Sequence, residues 1–189
     1  MKMMNNYDIA TFAGGCFWCT EAIFQRLKGV TKVESGYTGG EEAADGENPT
    51  YDKVSMGMTN HAEAIQITFD PKIISYDILV KIFFQTHNPT TLNQQGADIG
   101  TQYRSVIFYK NDTQKEIAEL EKKHFNKNNS YGKDAVTKIE LLKEFYPAEE
   151  IHQKYYERNK NYPYCTIVID PKVKKLINEF KNVVKEEYL

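Results

Sequence analysis

The sequence predicts an α+β domain, with helices packed on a mainly antiparallel or mixed sheet and long coils over one edge. Three observations predict it. Runs of strand length, apolar or alternating, are interspersed with segments of helical period. These runs do not follow the regular strand-helix-strand order of a wound parallel sheet. Two irregular stretches, 36–60 and 90–100, carry glycine, proline and polar residues and are longer than ordinary connections.

In chain order, 7–13 reads as a short buried strand and 20–27 as a helix with Cys19, Ile23 and Leu27 at four-residue spacing. A weaker strand is expected over 30–35, where Lys32 and Glu34 alternate with Val33. The stretch 36–60 has no period, and Pro49-Thr50-Tyr51 is a rigid point within it. Residues 61–69 alternate with Glu63, Ile65, Ile67 and Phe69 on one face, so a carboxylate joins an apolar row. Ser75 is expected to cap a helix with the stripe Ile78, Leu79, Ile82 and Phe83, stopped by His87-Asn88-Pro89. The run 103–109 predicts the strongest strand.

Asn111 or Asp112 is expected to cap a charged helix with Ile117, Leu120, Glu121 and His124 along one side. Thr137, Ile139 and Leu141 suggest a further strand whose Lys138 and Glu140 face water. Pro147 fits a helix's first turn, with Glu149 and Glu150 at its positive end and His152, Tyr155 and Tyr156 beyond. The chain then predicts an extended run over 165–170 and a closing amphipathic helix with Val173, Leu176, Ile177, Phe180 and Val184.

At 189 residues, with no repeat or linker, one domain over 1–189 is expected. Hydrophobic residues at 41% and charged residues at 26% give ordinary globular composition. A net charge of −2 offers no basic field for nucleic acid. No apolar run approaches a membrane span and the start lacks a secretory apolar core, so no membrane partner and a cytoplasmic location are expected. Three cysteines suit reduced thiols better than a disulfide framework. Without a second Cys-x-x-Cys pair or recurring histidine spacing, neither a metal nor another cofactor is expected.

The chemistry concentrates in Gly14-Gly15-Cys16-Phe17-Trp18-Cys19-Thr20-Glu21, which holds two cysteines three apart and the only tryptophan. Cys16 falls at a strand-to-helix corner, where unpaired N–H groups and the helix dipole favour thiolate. Such a pair reads three ways: a redox dithiol, half of a metal site, or two thiols that only pack. A non-enzymatic module that binds its partner through Phe17 and Trp18 is a further reading. Considered singly, Glu63, the tyrosines and Trp18 each also have ordinary structural roles.

Gly14-Gly15-Cys16-Phe17-Trp18 with Glu21 resembles the signature of the A-type peptide methionine sulfoxide reductases. Further matches follow in order: Gly36-Tyr37-Thr38-Gly39-Gly40, Asn48-Pro49-Thr50-Tyr51, His61-Ala62-Glu63-Ala64, Asp98 with Gly100-Thr101-Gln102-Tyr103-Arg104-Ser105, and His152-Gln153 with Tyr155. The resemblance implies a ferredoxin-like α/β plait core wrapped by coil, and reduction of the S epimer of methionine sulfoxide, free or in proteins. It implies thioredoxin as reductant, and a monomer is expected.

By the same resemblance, Cys16 attacks the sulfoxide sulfur and Glu63, kept protonated by burial, supplies the acid. Tyr51 and Tyr103 offer hydroxyls to the oxygen, Asp98 orients them, and Phe17 and Trp18 wall the S-methyl group. Cys16 is left as a sulfenic acid. For its resolution the chain offers Cys19, where many relatives have a small residue, and Cys165 as the alternative; Cys19 is preferred because a helix-start Cys-x-x-Cys pair closes a disulfide with little backbone movement. The chain departs from the pattern in having no glycine-rich cysteine tail. It also departs at Asn60, Ala97 and Ile99, which touch loop conformation and surface charge.

Overall fold

The computed structural model describes residues 7–40 and 48–189. The start of the chain and the middle of the 36–60 stretch lie outside the described residues. The chain orders as β1 (Asp8–Gly14), α1 (Phe17–Phe24), β2 (Val30–Thr38), α2 (Tyr51–Ser55), β3 (Ala62–Phe69) and α3 (Tyr76–Thr86). There follow β4 (Gln94–Gln95), β5 (Asp98–Ile99), β6 (Ser105–Tyr109), α4 (Asp112–Asn128), β7 (Lys138–Leu141), β8 (Tyr146–Pro147), α5 (Tyr155–Arg158) and α6 (Asp170–Phe180).

Six strands form one sheet in the order β7-β6-β1-β3-β2-β8, antiparallel throughout except for the β6–β7 pair. Its centre, β6-β1-β3-β2 joined by α1 and α3, is a split β-α-β arrangement of the plait type. The expected α+β class and plait core are both present.

Burial explains the centre. Phe12, Phe24 and Phe83 are fully buried, with ring centroids of Phe12 5.5 Å from Phe24 and 5.1 Å from Phe83. Each such ring contributes about 2–3 kcal/mol by leaving water. With Ile65, Ile67, Phe69, Leu79 and Ile107 they join β1, β3 and β6 to α1 and α3. A smaller cluster of Ala13, Ala62, Ala64, Val106 and Phe108 is covered by Leu142 and Phe145 from the coil after β7.

Several expected elements differ. The first helix begins at Phe17, because the glycine corner already turns the chain there. The strand expected over 30–35 runs to Thr38, since Tyr37 pairs with Glu63 on one side and Tyr146 on the other. Within the 36–60 stretch Thr50 caps α2, its hydroxyl accepting from Lys53 N–H. The strongest predicted strand starts only at Ser105, after a 3-10 turn over Thr101–Tyr103. Ser75 occupies its cap position without a side-chain bond, whereas Asn111 accepts from the Gln114 N–H at 2.9 Å. On α4 the buried side is Gln114, Ala118 and Phe125, and Leu120 is exposed. Leu141 too is exposed, at the sheet edge.

Pro147 does not open a helix. It ends the edge strand β8 opposite Gly36, a position proline tolerates because an edge strand lacks one set of ladder bonds. The β-branched run over 165–170 is not extended either: Cys165–Ile169 forms π-helical turns that feed α6. Its β propensity yields to packing, because helical winding buries Cys165 and Ile169 together and leaves Ile167 outside.

Candidate active site

The site is built where β1 turns into α1. Gly15 takes φ +90°, and a Cβ there would lie 2.6 Å from Gln95 Cγ. Gln95 cannot easily give way, because its amide accepts from the Asn88 N–H and donates to the Asn88 carbonyl, both at 3.0 Å. Gly15→Ala should therefore cost about 1–3 kcal/mol in urea unfolding, because the left-handed region penalises a side chain and the neighbour clashes. An unchanged midpoint and slope would refute this reading of the corner.

The corner delivers Cys16 to the N-cap of α1, where its carbonyl accepts the Cys19 N–H at 3.1 Å. The Cys16 side chain makes no capping bond. The first N–H of the helix, that of Phe17, instead donates to Glu63 Oε2 at 3.0 Å across 46 residues of chain. Register places Glu63 there: it sits opposite Tyr37 in β3, on the sheet face that also carries Ile65 and Ile67. Glu63 is 2% exposed. Burial pushes its carboxyl up to about 8, against the opposing Phe17 N–H and with help from the charges of Asp98 and Cys19.

Cys16, Cys19 and Cys165 are all free, buried and members of one apolar cluster. Cys16 and Cys19, one turn apart at the start of α1, titrate as an interacting pair. Burial, then the neighbouring sulfur, pushes Cys16 well above the usual thiol range. The Cys16 hydrogen bond draws Cys19 down to about 6 despite burial, with Lys172 of α6 adding positive charge. The helix end thus holds one thiolate for the pair rather than one for Cys16 alone. Cys165, in the turns against α1, is raised by burial and then by the charge of Cys19.

Tyr51, the first residue of α2, and Tyr103, at the end of its turn, are half-buried beside these groups. Burial, then the charge of Glu63, pushes Tyr51 up to about 12 and Tyr103 upward too, so both phenols remain donors. Asp98 in β5 accepts the Tyr164 hydroxyl at 3.0 Å, and that same hydroxyl lies 3.8 Å from Cys19 Sγ. No local pattern marks Tyr164, because it precedes a run of β-branched residues and its partners are remote in sequence.

An aromatic wall adjoins the sulfurs. Trp18 stacks on Tyr155 at 3.7 Å with 8° between planes, and Tyr51 stacks on His152 at 4.1 Å. Phe17 lies 6.2 Å from Trp18 and 6.2 Å from Tyr51. Glu149, read in the sequence as a helix-dipole residue, instead accepts the Tyr51 N–H and the Tyr37 hydroxyl, each at 2.9 Å. It thereby fixes the start of α2.

Among the described residues no group of three or more His, Cys, Asp or Glu could hold a metal, and no helix is long and apolar enough to cross a membrane. A groove of about 700 Å³ between α4 and β7 is lined by residues such as Glu119, Lys122, Lys138 and Glu140. It holds no thiol or aromatic ring, unlike the cluster at the start of α1.

Residues 8–184 match the family described as peptide methionine sulfoxide reductase. The peptide methionine sulfoxide reductase MsrA of Sulfolobus acidocaldarius is 51% identical over 173 residues, which cover 92% of this chain and 95% of that one. The reduced form of Mxr1 from Saccharomyces cerevisiae superposes with a TM-score of 0.78 at 35% identity, over 84% of this chain and 89% of that one. Mxr1 in complex with Trx2 gives a TM-score of 0.55 at 27% identity, over 79% and 84% of the two chains. With nearly its whole length matched, the chain belongs to the peptide methionine sulfoxide reductase family and is an oxidoreductase.

Proposed function

We propose that the chain reduces the S epimer of methionine sulfoxide, free or within proteins, with Cys16 as nucleophile and Glu63 as acid. The observation that carries this reading is the Phe17 N–H to Glu63 Oε2 bond, which ties a neutral buried carboxyl to the residue following the thiol. A sulfoxide sulfur accepts a thiolate only when its oxygen is protonated or strongly hydrogen-bonded.

The reaction begins when the Cys16 proton passes to Cys19 and Cys16 Sγ attacks the sulfoxide sulfur. Glu63 gives its proton to the oxygen, Tyr51 and Tyr103 donate hydrogen bonds to it, and Asp98 orients the network through Tyr164. Phe17 and Trp18 wall the methyl group. Methionine leaves, the oxygen remains on Cys16 as sulfenic acid, and Glu63 recovers a proton from solvent. Cys19 then attacks Cys16, forming the disulfide and expelling water. Cys19 is favoured over Cys165 by its hydrogen bond to Cys16 and its lowered pKa.

A thioredoxin would reduce that disulfide, a reading supported by the complex of the Mxr1 relative with Trx2. The role follows as repair of oxidised proteins under oxidative stress, in the cytoplasm. The test is one turnover of reduced protein with each epimer and no external reductant, followed by non-reducing peptide mapping. One methionine per chain from the S form alone and a Cys16–Cys19 disulfide are expected. Equal use of both epimers would refute the stereochemical reading, and a Cys16–Cys165 disulfide would reassign the resolving thiol.

A further inference from the structure

Glu21 is a buried carboxylate that the proposed reaction does not use. It is 1% exposed and lies three residues beyond Trp18, so both side chains rise from neighbouring positions on one strip of α1. Its two oxygens reach across to the segment after β8. Oε1 accepts the Lys154 N–H at 2.7 Å and Oε2 the Tyr155 N–H at 3.3 Å. Lys154 takes φ +51°, a left-handed conformation uncommon for a side-chain-bearing residue, and it leads directly into α5. The carboxylate thus clasps the bend that throws the Tyr155 ring onto Trp18 at 3.7 Å.

The same segment is tied elsewhere as well. Gln153 accepts the Ser35 N–H and donates to the Ser35 carbonyl, extending the edge of β2 with a side chain. That bond sets where the segment crosses the sheet. Among the described residues, the hydrogen bonds that tie the next two residues to α1 are those to Glu21. One turn of one helix therefore supplies the inner ring of the stack through Trp18 and fixes its outer ring through Glu21.

We propose that Glu21 is a positioning residue for the substrate wall, holding Trp18 in place by fixing Tyr155. The proposal rests on the sulfoxide reductase reading, in which Trp18 receives the S-methyl group. Glu21 touches no reacting atom, so its removal should weaken capture of the sulfoxide and leave the sulfur chemistry largely intact.

The test uses the full chain with Glu21→Ala, Glu21→Gln, Tyr155→Ala and the Glu21→Ala/Tyr155→Ala double variant. Trp18 is the only tryptophan, so emission wavelength and quenching report on the stack directly. Glu21→Ala should raise KM for S-methionine sulfoxide roughly tenfold, the scale of a lost charge-assisted hydrogen bond, and change the saturating single-turnover rate less than about threefold. Its emission should shift to the red.

Glu21→Gln should fall between parent and alanine, because one amide oxygen still accepts the Lys154 N–H, and it keeps the test open if the alanine variant does not fold. The double variant should be no worse than Tyr155→Ala alone. Unchanged emission and KM, a loss confined to the saturating rate, or full additivity of the two substitutions would overturn the proposal. An inactive parent protein would refute the enzymatic reading instead, while the emission shift would still decide whether Glu21 holds the stack.

Discussion

Cys16→Ser should release no methionine from either sulfoxide epimer, whether in a single turnover or with excess small thiol as reductant. A serine hydroxyl stays protonated at neutral pH and attacks sulfur poorly, so the loss should be at least about a thousandfold, the scale on which a nucleophile's removal is felt. The outcome is not trivial here, because Cys19 is the sulfur drawn down to about 6 while burial raises Cys16. If acidity alone chose the nucleophile, Cys19 would attack and Cys16→Ser would keep its burst of methionine.

Position argues otherwise. Cys16 immediately precedes the N–H bonded to Glu63, whereas Cys19 lies one turn inside α1, 1% exposed and beside Tyr164. In the proposed mechanism the lowered thiol is the acceptor of the Cys16 proton and, later, the resolving sulfur. Cys19→Ser should accordingly give one full methionine burst and then stall with a protein dithiol, and a missing burst in that variant would reverse the assignment.

What was legible in the sequence was whatever local pattern encodes. Paired glycines between an apolar strand and a helical run specify the corner before Cys16, and the alternation of β3 puts Glu63 in an apolar row, where burial raises its pKa. Tyr164 was hidden because the β-branched residues after it imitate a strand, while packing against α1 and α6 winds them helically. Pro147 mimics a helix start and so suggests a helix-dipole role for Glu149, but sheet pairing with Gly36 claims the proline. Pro49-Thr50-Tyr51 stands out in the sequence as a rigid point, but a role for Tyr51 comes only from the motif resemblance. What holds Tyr51, a carboxylate 98 residues away, follows from tertiary proximity that no local period records.

Glu63→Gln should lower the single-turnover rate by about a hundredfold to ten-thousandfold, the contribution of a positioned general acid. The amide keeps an oxygen to accept the Phe17 N–H, so α1 should stay in place and the loss should reflect the missing proton. The pH profile separates these effects. In the parent, activity needs the thiol pair ionised, which favours pH above about 6, and Glu63 protonated, which fails as pH rises through about 8. The variant should lose that upper limb.

Stability should report the same group with a definite sign. The native carboxyl titrates near 8 and the unfolded one near the ordinary value of 4.5, so between those values the native state binds more protons than the unfolded state. Stability must then fall as pH rises across that window, by a few kcal/mol in total, because the unfolded carboxyl ionises freely while the buried one stays neutral, and the fall ends once the native group ionises near 8. Glu21, raised by burial to about 7, adds a slope of the same sign that ends earlier and persists in the variant. Above pH 8 Glu63→Gln should therefore be more stable than the parent while being far slower, and near pH 4 the two should be similar. A variant that matched the parent in both rate and pH-dependent stability would remove Glu63 as the acid. One that was slower yet unchanged in its stability profile would mean that the carboxyl is ionised in the native state, and that the oxygen draws its proton from elsewhere.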